Sequence, residues 1–227
     1  MDSSLIIAGG AVCFGSLIAL IVVLAVVSHR REKARQQALE LWAMQHEWQI
    51  SRRPQVDWGR RMPGRNKRGV TVALSGMIRG RPATIAEYYY TYTTTSTDSS
   101  GRSSSTTRTY HYVLMVVPLR QPHPTVAVFR RGTMSRFGRA LFGDKATALG
   151  YEPFDSEYRV AANDPRLVRS VLGPALVNEH IAGRLPDWSL EGRELLSFRE
   201  GRIGEPASIP GQLEAVIRVA DLIEPHR

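Results

Sequence analysis

Residues 5–27 are 23 consecutive positions without a charged side chain, rich in Leu, Ile, Val and Ala. As a helix rising about 1.5 Å per residue, such a run covers roughly 35 Å, enough for a hydrocarbon core of about 30 Å. The alternatives are a buried core helix and a cleaved signal peptide. A signal peptide wants a positive start, a shorter apolar stretch and a small-residue cleavage site. This run instead follows Asp2, is long, and offers only Val26-Val27-Ser28. The reading favoured is a spanning anchor. Its small residues (Ala8, Gly9, Gly10, Ala11, Gly15, Ser16) do not form a Gly-x-x-x-Gly seam, so pairing of the helix is unspecified. Cys13 lies inside the run as a small apolar residue. A single cysteine excludes a disulfide scaffold and a cysteine-built zinc site.

Charge gives the run a direction. Asp2 precedes it, whereas Arg30, Arg31, Lys33 and Arg35 follow, so the short N-terminus is expected outside and the rest in the cytoplasm of a bacterial cell. The whole chain carries +9, which suggests nucleic acid until the charge is located. Residues 28–68 hold eleven Lys and Arg against four Asp and Glu, whereas residues 69–227 hold nineteen against sixteen. The basicity therefore stands beside one segment. No zinc, helix-turn-helix or RNA-binding motif accompanies it, so no nucleic acid is expected as a partner.

Residues 30–50 contain neither Gly nor Pro and read as helix, with Ala34, Ala38, Leu41, Trp42, Gln45 and Trp48 near one face. The favoured reading continues the membrane helix and packs Trp42 and Trp48 on the following domain. The other lays the helix on an anionic leaflet through Arg30, Arg31, Lys33, Arg35, Trp42, Trp48, Arg52 and Arg53. Pro54, Pro63 and Gly64 then interrupt a basic linker running to Arg68.

Strand alternation begins at Gly69, turns at Arg79-Gly80-Arg81, and returns through the tyrosines at 88–90 and 92. Thirteen of the seventeen residues at 93–109 are Ser or Thr, and the chain resumes with Tyr110-His111-Tyr112. Aromatic and Thr-rich segments flanking a polar tip predict a long hairpin with facing Tyr and Thr pairs and a mobile tip. Pro118 is expected to end the third strand, with a fourth at 125–130. Residues 154–161 read as a strand carrying Asp155, Glu157 and Arg159 on one face. Asp164-Pro165 opens a helix with Asn163 or Asp164 as its cap, Gly173-Pro174 breaks it, 175–182 resumes it, and 188–198 reads as a hairpin turning at Gly192. From Ile209 the spacing of Leu213, Val216, Ile217, Ala220 and Ile223 predicts an amphipathic helix stopped by Pro225.

The search for chemistry returns little. Gly138, Gly143 and Lys145 miss the phosphate-loop pattern because Asp144 intervenes. His46-Glu47 lacks the second histidine of a zinc protease, and no Gly-x-Ser-x-Gly or Gly-x-Gly-x-x-Gly occurs. Glu179, His180 and Asp187 are near one another in sequence, the sole support for an acid–base group. Catalytic, cofactor-binding and metal residues are all expected to be none, and Trp188 and Phe198 read as core or hairpin-pair residues.

Three stretches carry a resemblance: 76–90 (GMIRGRPATIAEYYY), 154–172 (FDSEYRVAANDPRLVRSVL) and 188–203 (WSLEGRELLSFREGRI). Together with the closing helix they resemble a family of membrane-anchored bacterial proteins sharing a domain of unknown function. The resemblance covers most of 69–224 and implies an anchored α+β module. It transfers no catalytic residue.

The sequence thus predicts an α+β chain with an anchor at 1–28, a juxtamembrane helix and basic linker at 29–68, and a cytoplasmic domain at 69–227. The domain is expected as a mainly antiparallel sheet with two or three packed helices. Its expected role is a binding or scaffold module at the inner membrane. Its expected partners are the bilayer, anionic phospholipid and another protein. The alternatives are a membrane-associated, hydrolase-like enzyme and an extracytoplasmic envelope module.

Overall fold

The computed structural model describes residues 3–98, 101–131, 147–162 and 164–225, with side chains from residue 20 onward. Cys13, the near phosphate-loop at 138–145, the candidate helix cap at Asn163 and the first part of the apolar run lie outside the described side chains. The chain divides into two compact units, Met1–Trp42 and Ala43–Arg227.

Helix α1 (Ser3–Gln45) runs unbroken through the first unit, as expected for a stretch lacking proline. Residues 20–30 are exposed on every face of it, including Leu20 at 55% and Leu24 at 59%. Among the described residues no helix is long and apolar enough to cross a membrane.

The second unit is α+β: one antiparallel sheet of six strands with several short helices and one longer helix. β1 (Gln49–Arg52), β2 (Val70–Ile78), β3 (Arg81–Thr97) and β4 (Ser103–Arg130) are neighbours in that order. Further strands β5 (Tyr158–Ala162) and β6 (Trp188–Glu200) both pair with β4. β6 matches β4 at positions where β3 or β5 is also paired, so β6 occupies one edge of β4 while β3 and β5 share the other. The short helices are α2 (Glu152–Asp155), α3 (Val168–Val171) and α4 (Pro174–Ile181), and α5 (Ile209–Ile223) closes the chain.

The Arg79-Gly80 turn has both residues left-handed (φ 50° and 77°), the geometry that matches the twist of flanking strands. Beyond it the β3–β4 pairing runs without a slip from Thr84↔Val116 to Thr97↔Ser103. On one face, Tyr88, Tyr90 and Tyr112 join Met62, Leu114, Val116 and Leu196 in a buried cluster. The Tyr90 ring stacks on Tyr110 at 5.1 Å and on Tyr112 at 6.1 Å. The opposite face is covered by α5, which buries Leu213, Val216, Ile217 and Ala220 and contacts β3, β4 and β6.

Four expectations change. Pro118 does not end a strand: β4 continues to Arg130, and its register shifts between Pro118 and His123 absorb the prolines, which cannot donate to a ladder. Residues 188–198 are not a hairpin but the single strand β6, and Gly192 (φ 58°) lies opposite a bulge made by the extra residues of β4. Asp155 does not share a strand face with Glu157. It ends α2, and its carboxylate accepts the backbone N–H groups of Leu149 (3.0 Å), Gly150 (2.8 Å) and Tyr151 (3.0 Å). Part of the stretch read as linker is built into the sheet: β1 is its edge strand, and Trp58, Met62 and Pro63 are buried upon it.

Candidate functional site

The residues expected to meet a membrane surface separate into two kinds. Arg30, Arg31, Lys33, Arg52 and Arg53 are exposed, while Arg35 is half-buried and paired with Glu32 at 2.7 Å. Trp42 and Trp48 are both buried, the Trp48 indole lying directly over Gly76 of β2.

Two arginines of the basic stretch are structural. Arg60 bonds Glu191 at 3.0 Å and Asp57 at 3.2 Å. Arg61, 3% exposed, donates to the Ser189 carbonyl, to Ser189 Oγ (2.7 Å) and to the Glu194 carbonyl (3.1 Å). Burial pulls the Arg61 guanidinium down to about 10 against the opposing pull of Glu191 and Glu194, so it stays charged at neutral pH.

Four other cations of that stretch, with two from later in the chain, stand at one end of the sheet. Arg52 ends β1 and Arg53 follows it, its N–H donating to Thr71 O at 2.8 Å. Lys67 and Arg68 precede β2 in a loop whose Gly69 carbonyl accepts the N–H of Tyr89 at 2.9 Å, while Asn66 Nδ2 donates to Tyr89 O at 3.1 Å. Tyr89 faces His111 of β4, and the His111 carbonyl accepts the N–H of Gly201 just after β6 at 2.9 Å. Arg202 then donates to His111 Nε2 at 3.1 Å, and Arg108 stands across from Tyr92 a little further out. Four strand spacings of about 4.8 Å put Arg53 and Arg202 roughly 19 Å apart across this rim. Arg52, Arg53, Lys67, Arg68, Arg108 and Arg202 are all exposed here, and Glu200 is the exposed acid among them. A rim with six cations to one acid suits an anionic partner and speeds its approach.

From the same end the β3–β4 hairpin continues outward as a two-stranded ribbon with every described residue of 91–109 exposed. Its hydroxyls pair across the strands: Thr93 with Thr107 (2.9 Å), Ser96 with Ser104 (3.0 Å) and Thr97 with Ser103 (3.1 Å). Sequence reading places the ribbon but not the rim, because Arg108 and Arg202 are distant in the chain from Arg52 and Lys67.

The other residues weighed for chemistry do not come together. Glu179 is held by Arg184 (2.6 Å) and Arg218 (2.8 Å), and Arg184 first, with Arg218, holds its carboxyl down to about 2. His180 is fully buried, its Nε2 accepting from Trp188 Nε1 at 2.9 Å. Asp187 accepts the N–H of Arg130 at 2.8 Å. Each therefore has a separate structural task. No group of three or more metal-ligating side chains occurs among the described residues.

No family model matches the chain, and no curated protein matches it. Its fold is similar to the crystal structure of the mycobacterial trehalose monomycolate transport factor A, TtfA, with a TM-score of 0.53 and 13% sequence identity. That similarity covers 83% of this chain and 93% of the other. At this identity the likeness is one of fold.

Proposed function

We propose that this chain is a single-pass, membrane-anchored bacterial protein whose cytoplasmic α+β unit is a binding or scaffold module. The observation that carries the reading is the described end of the apolar run. Residues 20–27 are Leu, Ile, Val and Ala, exposed on all sides, and lead directly into exposed Arg30, Arg31 and Lys33. A helix that is apolar all round belongs in lipid or a protein core, and cations at its end set the cytoplasmic side. The similar fold of a protein described as a trehalose monomycolate transport factor supports an accessory role in transport.

The rim is the module's contact surface, and an acidic protein surface fits it better than a flat leaflet. A planar surface approaching that end meets the ribbon first. Acidic phospholipid is proposed to meet the juxtamembrane cations of α1 instead.

Fractionation tests the anchor: the full chain stays in the membrane pellet through a carbonate wash, and deletion of 1–28 releases it. A C-terminal reporter that fluoresces only in the cytoplasm is bright. Release of the full chain by carbonate, or a dark reporter, overturns the reading, the latter in favour of an envelope module.

A further inference from the structure

We propose that two copies of this chain join through the outer edge of β3, residues 91–97, turning two ribbons into one four-stranded antiparallel sheet. This rests on the ribbon alone and is independent of the anchor.

The edge is open where the fold stops covering it. Asn66 and Gly69 satisfy the carbonyl and N–H of Tyr89, and among the described residues no strand lies beyond them on that side. Backbone groups alternate between the two sides of a strand, and those of Tyr89 point outward, so Thr91, Thr93, Thr95 and Thr97 point the same way. That leaves four N–H and four C=O groups in a row over about 20 Å. Native edges are usually blunted by charge, proline or a bulge. Residues 91–97 (TYTTTST) contain no charge, no proline and no glycine, and the pairing with β4 contains no bulge. A two-stranded ribbon without a covering layer is also marginal in water, and added strands stabilise it.

The occupant that fits is the same segment of a second copy. Centred on Thr94, an antiparallel pairing sets Thr91 opposite Thr97 and Thr93 opposite Thr95, so every outward group finds a partner under two-fold symmetry. Both sides bring the same short hydroxyls that already pair within the hairpin. The register also brings Asp98 at the tip of one ribbon beside the Lys67–Arg68 corner at the root of the other. An uncharged edge selects no charged foreign strand, whereas its own copy supplies the matching row.

The test uses the full chain, with Cys13→Ser, in detergent. Thr94→Cys meets itself across the two-fold and oxidises to a covalent dimer. Thr106→Cys, opposite Thr94 within the hairpin, lies a strand further away and remains monomeric. Thr93→Pro removes an outward N–H without touching the β3–β4 ladder, and Thr95→Lys sets two like charges diagonally across the seam, about 7–8 Å apart. Each abolishes the dimer seen by mass measurement while the melting temperature is kept. A monomeric parent chain overturns the proposal, as do equal cross-linking at 94 and 106 or dimers that survive both Thr93→Pro and Thr95→Lys. So does cross-linking of Thr94→Cys in membranes to a different protein in place of a second copy.

Discussion

The indole N–H of Trp188 points at Nε2 of His180 from 2.9 Å, and this bond fixes the imidazole's state. Nε2 must accept, so the neutral ring carries its proton on Nδ1, which has no hydrogen-bond partner among the described residues. Phe154 and Tyr158 stand edge-on to the ring with centroids 5.9 and 4.9 Å away, and Tyr158 Oη donates to the His180 carbonyl.

Burial lowers the His180 pKa from 6.5 to about 4, so the folded protein holds fewer protons than the unfolded chain between those values. The associated stability is complete above pH about 6.5 and is lost as pH falls through about 4, a total of about 3 kcal/mol. Denaturant titrations across this window are expected to show the slope in the native chain and to lose it in His180→Phe. Equal slopes in the two proteins would remove His180 from the acid response.

Arg61 ties two points of β6, Ser189 and Glu194, to the segment that covers the tyrosine cluster. Arg61→Ala leaves the Ser189 and Glu194 carbonyls without a donor and is expected to cost about 3 kcal/mol. Arg61→Lys recovers less than half, since an ammonium cannot span both carbonyls as the planar fork does. Chemical denaturation of both variants measures this, and full rescue by lysine would contradict the forked geometry.

Gly76 is required by close approach. A Cβ there would overlap the Trp48 indole, and the contact is with a packed ring instead of a flexible chain end. Gly76→Ala is expected to destabilise by about 1–3 kcal/mol, and Gly76→Ala with Trp48→Leu by less than the two changes summed. Strict additivity in thermal melts would show that the ring is not the obstacle.

Glu224 ties the end of α5 to the bend in β4. Burial alone would raise its carboxyl, but the N–H groups of Arg120 and Gln121 (2.8 Å each) and the His123 ring (3.0 Å) hold it at about 2. Its contribution is complete above pH about 4.5 and is lost as pH falls toward 2. Glu224→Gln is expected to lose about 1–2 kcal/mol at neutral pH and to flatten the stability curve below pH about 4.5. An unchanged acid limb would count against it.

What was legible in the sequence was local. The Arg79-Gly80 turn, the alternating tyrosines and the Ser/Thr run set the register of the long hairpin, because cross-strand neighbours there are also close along the chain. The spacing from Leu213 to Ala220 likewise shows which face of α5 is buried. Long-range features left no such trace. Gly192 looks the same as a hairpin turn or as a residue facing a bulge until the extra residues of β4 are opposite it. Asp155 resembles a strand carboxylate until three N–H groups close on it. Arg61 reads as one cation of a basic linker because its acceptors lie more than a hundred residues away. The basic rim was hidden for the same reason, since charge counted along a chain does not record which segments will end side by side.

β4 has a consequence for a chain made from its N-terminus. β3 is finished just before it and can pair at once, but β6, which fills its other edge, emerges only some sixty residues later. Throughout that interval the apolar stretch 113–117 offers an uncovered strand edge next to the ribosome. Nascent chains of this kind are exposed to wrong pairing until the last strand arrives, and distant closure slows folding. Ribosome stalls placed before residue 188 should therefore yield aggregation-prone intermediates, whereas stalls after α5 should not.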